Sequence, residues 1–231
     1  MGTYLVIGGS SGIGLQVVHD LTADGHEVHA TYLQHPIQNS HLVTYHELNV
    51  LADSIDFGWL PEKLDGLVYC PGAISLRPFA RISPSDFTAD FHLQVLGAVK
   101  VIQAALPKLK ESAAASIVLF STVAVQVGLN FHSLVSTSKG AIEGLTKALS
   151  AELAPNIRVN CIAPSLTDTP LAASLLNSEQ KVEANAQRHP LKRVGNTKDI
   201  SNMATFLLSD KSSWITGQIL HVDGGMSNIK L

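Results

Sequence analysis

The stretch TYLVIGGSSGIG, Thr3 to Gly14, constrains this chain more than any other. A short apolar run, TYLVI, leads straight into VIGGSSGIG, where Gly8, Gly12 and Gly14 form a G-x-x-x-G-x-G pattern, and a helical pattern follows over 12–24. A strand that turns so tightly into a helix needs glycine, because the backbone must approach itself closely and adopt conformations a side chain resists. The turn also points amide hydrogens and the positive end of a helix dipole outward, which suits a pyrophosphate. Ser10, Ser11 and Ile13 lie in the same loop and join the three glycines as candidate contacts. A plain tight turn is the competing reading, and the strand–turn–helix setting weighs against it.

The rest of the chain alternates in the same way. Strands are expected at 3–7, 27–32, 42–48, 66–70, 116–121, 157–162 and 218–222, runs rich in Val, Ile and Leu, as strands buried on both faces should be. Helices are expected at 12–24, 84–109, 132–153 and 197–208. Ser83 caps the second of these and Pro84 occupies its first position, while Pro107 is expected to bend or end it. The link 33–41 has room for one helical turn at most. Residues 165–192 show no strand pattern and read as a mobile segment over a site, with Leu166, Leu171, Leu175 and Leu176 offering either an apolar substrate surface or ordinary helix packing. With no repeat and no interdomain linker, one α/β domain over 1–231 is expected, a parallel sheet wrapped by helices.

Composition narrows the partners. Hydrophobic residues make up 45% and charged ones 15%, enough for a well-filled core, and a net charge of −3 argues against nucleic acid or an anionic membrane surface. Cys70 and Cys161 have no metal-type spacing and the ten histidines form no ligand pair, so no metal is expected. A start directly in a strand, without a basic or cleavable apolar leader, makes the cytoplasm the expected location.

Further motifs follow in order: CPGA at Cys70–Ala73, FHLQVLGAV at Phe91–Val99, LVSTSKGAIEGL at Leu134–Leu145, VNCIAPSLTDTP at Val159–Pro170, and the long run from Pro190 to Gly225. Together with the glycine loop they resemble the short-chain dehydrogenase/reductase family over nearly the whole chain, Thr3 to Gly225. The resemblance implies a Rossmann-like doubly wound sheet in the order 3-2-1-4-5-6-7. It also implies hydride transfer between a nicotinamide cofactor and a carbonyl or alcohol, and a homo-oligomer, dimer or tetramer, built through the long helices. Pro71, Gly72, Pro164 and Thr169 match the family's cofactor segments, Asn49 its aspartate near adenine with Val50 beside it, and Lys139 the lysine that holds the nicotinamide ribose.

The same register exposes departures. Ile7 stands at the family's usual threonine, and Ser165 at the glycine after Pro164. The tetrad of Asn, Ser, Tyr and Lys reads Gln94, Thr122, Val135 and Lys139. Valine can do no proton chemistry, so three answers stand open. His132, seven residues before Lys139, could replace the acid, with Ser133 and Ser136 as further hydroxyls nearby. The chemistry could run with less proton help, which typically costs about 10²- to 10⁴-fold in rate. Or the protein could be an inactive nucleotide sensor or structural subunit. Cofactor choice rests on ATYLQHP, Ala30–Pro36, which offers neither Asp nor Arg. The missing acid removes repulsion against a 2′-phosphate and favours NADP(H) over NAD(H), with Tyr32, Gln34 and His35 as candidate contacts.

Overall fold

A computed structural model describes residues 1–230. Seven strands form one parallel sheet: β1 (Thr3–Ile7), β2 (Glu27–Tyr32), β3 (Val43–Glu47), β4 (Gly66–Tyr69), β5 (Ala115–Phe120), β6 (Ile157–Pro164) and β7 (Ile219–Val222). Their order is β3-β2-β1-β4-β5-β6-β7, as expected. The β1 register places Leu5 opposite both His29 of β2 and Leu67 of β4. β1, β4, β5 and β6 are buried almost end to end because helices cover both faces.

On one face α1 (Gly12–Ala23) and α6 (Thr197–Leu208) bury Val17, Val18, Leu21, Ile200, Ala204 and Leu207 against the sheet. On the other, α3 (Gly97–Lys110) and α4 (Ser133–Leu153) contribute Val101, Ile102, Ala105, Ile142 and Leu153. Strand order reverses between β1 and β4, which opens a crevice at the carboxyl ends of the strands, the usual ligand position in such sheets.

Three details differ from the sequence reading. The expected helix over 84–109 is α2 (Pro84–Phe91), a π-helical stretch (His92–Leu96) and then α3. Ser83 caps α2 in a capping box with Asp86. Pro107 does not end the helix, which runs on to Lys110; the irregularity falls at the π stretch instead. The segment 165–192 holds a 3₁₀ turn (Pro170–Leu175) and a short helix, α5 (Glu179–Gln187).

Candidate active site

Gly8 has φ +73° and Gly12 φ +52°, so the loop after β1 uses glycine where a side chain would be strained. The Gly8 amide donates to Thr31 Oγ1 at 3.0 Å and the Gly9 amide to the Thr31 carbonyl at 2.9 Å, fastening the loop to β2. A Cβ on Gly14 would collide with the Gly8 carbonyl oxygen. Ser11, at the cap of α1, makes no side-chain capping bond, leaving the first-turn amides without a side-chain partner there. Pro71 closes over the loop, its ring 3.4 Å from where a Gly8 Cβ would stand. Asn49 accepts from the Leu51 amide at 2.9 Å, Val50 is buried against Gly97, and Tyr32 ends β2.

Beyond the loop lies a cavity of about 290 Å³. All four candidate catalytic side chains, Gln94, Thr122, His132 and Lys139, lie on its wall, as do Val135 and the cofactor candidates Ile13, Gly72, Pro164 and Thr169. Leu166, Leu171 and Leu175 line it too, with Ile74, Leu76 and Leu129, so much of its surface is apolar. Leu176 is not among the lining residues.

The polar wall is built from α2, the π stretch and α4. Gln94 is fully buried, and its amide nitrogen donates to both Asp90 carboxylate oxygens at 2.8 Å. Ser138 donates to Asp90 Oδ2 at 2.6 Å. Gln94 Oε1 is left buried with no hydrogen-bond partner. It and Lys139 Nζ converge on Gly72, standing 3.5 and 3.7 Å from where a Cβ of that glycine would be. An orphaned acceptor beside an ammonium, over a glycine that leaves space, fits a polar ligand entering there. Burial pushes the Lys139 ammonium down to about 8, although the nearby Asp90 carboxylate pulls it the other way. Burial raises the Cys70 and Cys161 thiols to about 12, so both stay neutral beside the lysine.

Thr122 caps the start of the 3₁₀ turn after β5, and its Oγ1 accepts from the Ala124 amide at 3.3 Å, which leaves its O–H to donate elsewhere. His132 sits at the amino end of α4; its Nδ1 lies 2.7 Å from the Asn130 carbonyl, so that nitrogen carries the hydrogen. Ser136 donates to the Ala124 carbonyl at 3.1 Å, and Ser133 Oγ is buried without a partner. Val135 is 7% exposed.

Two groups escaped the sequence reading. Asp90 was legible in principle, four residues before Gln94 on one helical face. The other is a pair: Ser165 Oγ lies 2.8 Å from His189 Nε2, and both line the cavity. No local pattern announces a contact across 24 residues. Among the described residues no group of three or more His, Cys, Asp or Glu could hold a metal, and no helix is long and apolar enough to cross a membrane.

Comparison with known proteins adds the following. A family model described as enoyl-(acyl carrier protein) reductase matches residues 8–227. A tropinone reductase homolog of Arabidopsis thaliana is 34% identical over 242 residues, covering 97% of this chain and 92% of the relative. An aldohexose dehydrogenase of Thermoplasma acidophilum, solved without ligand, is 25% identical with a TM-score of 0.88, covering 100% of this chain and 96% of that one. The structure titled ElxO with NADP bound is 25% identical with a TM-score of 0.85, covering 98% of this chain and 99% of that one.

Proposed function

The chain belongs to the short-chain dehydrogenase/reductase family, a family of oxidoreductases, and on that premise we propose that it is an NADP(H)-dependent oxidoreductase with a non-standard active site. Its substrate is a small apolar molecule carrying a carbonyl, an alcohol or an activated double bond. The observation that carries the reading is the shared cavity: Lys139, Thr122, Gln94 and Val135 all face the space beyond the glycine loop. The bound dinucleotide supplies the hydride. The residues of this chain bind, orient and exclude water.

The first-turn amides of α1, which Ser11 leaves uncapped, would receive the pyrophosphate, and the glycines Gly8, Gly12 and Gly14 shape the loop around it. Lys139 donates to the ribose hydroxyls, and Gln94 Oε1 accepts the hydrogen bond it lacks among the protein groups. Asp90 and Ser138 hold that glutamine in place. Thr122 donates to the substrate oxygen. Val135 stands at the family's tyrosine and contributes packing alone. The apolar leucines of the 165–192 segment exclude water from the reacting atoms. ElxO carries NADP in its solved form, which supports the choice of cofactor.

One reading competes, and Val135 is the residue that favours it: a nucleotide-binding sensor or structural subunit of an oligomer, without turnover. Calorimetric titration with NADPH and, separately, NADH tests the common part. Micromolar binding of NADPH, tighter than NADH, is expected; no binding of either overturns the proposal. Incubation of the NADPH complex with 9,10-phenanthrenequinone, an apolar dicarbonyl, then separates the two. Oxidation of NADPH supports the enzyme, and binding without oxidation supports the sensor.

A further inference from the structure

We propose that Ser165 and His189 form the proton-delivery pair of this cavity, taking the place of the acid that Val135 cannot supply. The inference rests on the oxidoreductase reading above. Its geometry is independent of that reading. His189 is 3% exposed, and its Nδ1 lies 2.8 Å from the Asn185 carbonyl. A carbonyl only accepts, so Nδ1 carries a hydrogen whether the ring is neutral or charged. All exchange of protons is thereby confined to Nε2, the nitrogen 2.8 Å from Ser165 Oγ. In the neutral ring Ser165 donates to Nε2. In the charged ring Nε2 donates to Ser165, and the serine hydrogen is released to turn elsewhere. Met226 Sδ, 3.1 Å from Ser165 Oγ, is a weak acceptor where that hydrogen can rest, and the cavity is the other direction open to it.

The pair also has a way to reload. Ser165, Leu166, Thr167 and His189 line a second cavity of about 220 Å³ as well as the first. The charged groups on these walls are Arg188 with Lys139 on the first cavity, and Arg193, Asp199 and Asp223 on the second; His132 and Cys70 are the other titratable side chains on the first. A proton that reloads the pair must reach Nε2, the nitrogen that faces Ser165, and Ser165 borders both cavities. His132 fixes its Nδ1 on a carbonyl in the same manner, but it has no hydroxyl partner among the described residues and does not line the second cavity.

The step balances as follows. As hydride reaches the carbonyl carbon, the C=O π pair moves onto oxygen. That oxygen takes the proton of Ser165 Oγ, which in turn takes the proton of His189 Nε2. The alcohol leaves, and His189 regains a proton from solvent. Oxidation of an alcohol runs the same transfers in reverse. Ser165 touches the substrate oxygen and is a catalytic residue; His189 acts through it and is a positioning residue.

Ser165→Gly and His189→Gln test the proposal, with Ser165→Thr as the conservative variant. The first readout needs no turnover. In long-range ¹H–¹⁵N spectra of histidine-labelled protein, His189 (assigned by its loss in His189→Gln) should carry its proton on Nδ1. Its Nε2 resonance should move in Ser165→Gly and return in Ser165→Thr. The second readout is reduction of phenanthrenequinone by NADPH. Ser165→Gly and His189→Gln should lower the rate about 10²-fold. A His189 protonated on Nε2 instead, or an Nε2 signal indifferent to Ser165→Gly, overturns the pair. So does a rate that only His132→Gln alters. A wild type that binds NADPH but reduces no quinone sinks the oxidoreductase reading, and the spectra alone then judge the pair.

Discussion

The glycine loop and the walls around Lys139 stand at the carboxyl ends of neighbouring strands, yet different things hold them. The loop is fixed by backbone. Gly8 and Gly12 adopt positive φ, Gly14 presses on the Gly8 carbonyl, and two amides tie the turn to Thr31. The reacting end is fixed by side chains: Gln94 and Ser138 on Asp90, Thr122 on its own turn, Ser165 on His189. On the proposed function, a change in the loop should break fold and binding together, whereas a change at the reacting end should alter chemistry and leave the sheet intact. A molecule so divided could keep its glycine loop while Val135 takes the place that the family resemblance gives to an acid.

The largest effect should come from attacking the backbone-held end. Gly14→Val puts a Cβ into the Gly8 carbonyl oxygen, which neither helix nor turn can move away from. Destabilisation of about 3 kcal/mol or more is expected, at the upper end for overpacking, together with loss of NADPH binding. Urea denaturation and calorimetry measure the two. A variant of near wild-type stability would mean the loop is less constrained than the comparison holds.

Next comes Val135→Tyr, which attacks the side-chain-held end. Val135 borders the cavity on the same helix as Lys139, so a tyrosine there restores a phenol near the ammonium. In a Ser165→Gly background the tyrosine should restore quinone reduction by about 10²-fold, equivalent to about 2.7 kcal/mol of barrier. In the otherwise wild-type protein the rate should change little, because Ser165 and His189 already deliver the proton; a rise of about 10²-fold there with NADPH still bound would mean that they do not.

What the sequence made legible divides along the same line. The loop and the strands could be read because glycine spacing and doubly buried Val, Ile and Leu runs are local records of backbone demands, while the strand order came only with the family resemblance. The helix does not end at Pro107, although proline is a local breaker, and the irregularity at His92–Leu96, which carries Gln94, contains no breaker to announce it. α5 escaped because EQKVEANAQ buries only Ala186 and carries no apolar stripe; its one local sign was Ser178, whose side chain accepts from the Lys181 amide. The Ser165–His189 pair escaped because its partners meet only in three dimensions.

Lys139 lies on the border between the two regimes. It is a single side chain, yet on the proposed function its burial bears both on nucleotide binding and on the fold. Lys139→Met should weaken NADPH binding about tenfold, or about 1.4 kcal/mol, by removing the ribose donor. It should also stabilise the apoprotein at neutral pH. The folded value, about 8, lies below the ordinary 10.5, so between those values the unfolded chain holds more protons than the folded one. Wild-type stability should therefore gain from this group as pH rises through that window, and the advantage of the methionine variant should shrink toward pH 10.5. Thermal melts of both proteins across the window check it; a constant gap would mean the ammonium is not desolvated.

The smallest effect is expected farthest from the reaction, at the end of β2. Tyr32 is the last residue of that strand, and the loop after it carries no acid to meet a ribose hydroxyl or repel a phosphate. Tyr32→Asp supplies one. The ratio of NADPH to NADH affinity should fall about fivefold, close to 1 kcal/mol, because a carboxylate in high dielectric repels a phosphate only modestly. Quinone turnover at saturating cofactor should not change. Calorimetry with both nucleotides reads the ratio. An effect on turnover would instead couple the adenine end to the reacting end. The division drawn here between a backbone-held and a side-chain-held half of the crevice would then fail at the one place where a side chain is expected to tune the first without touching the second.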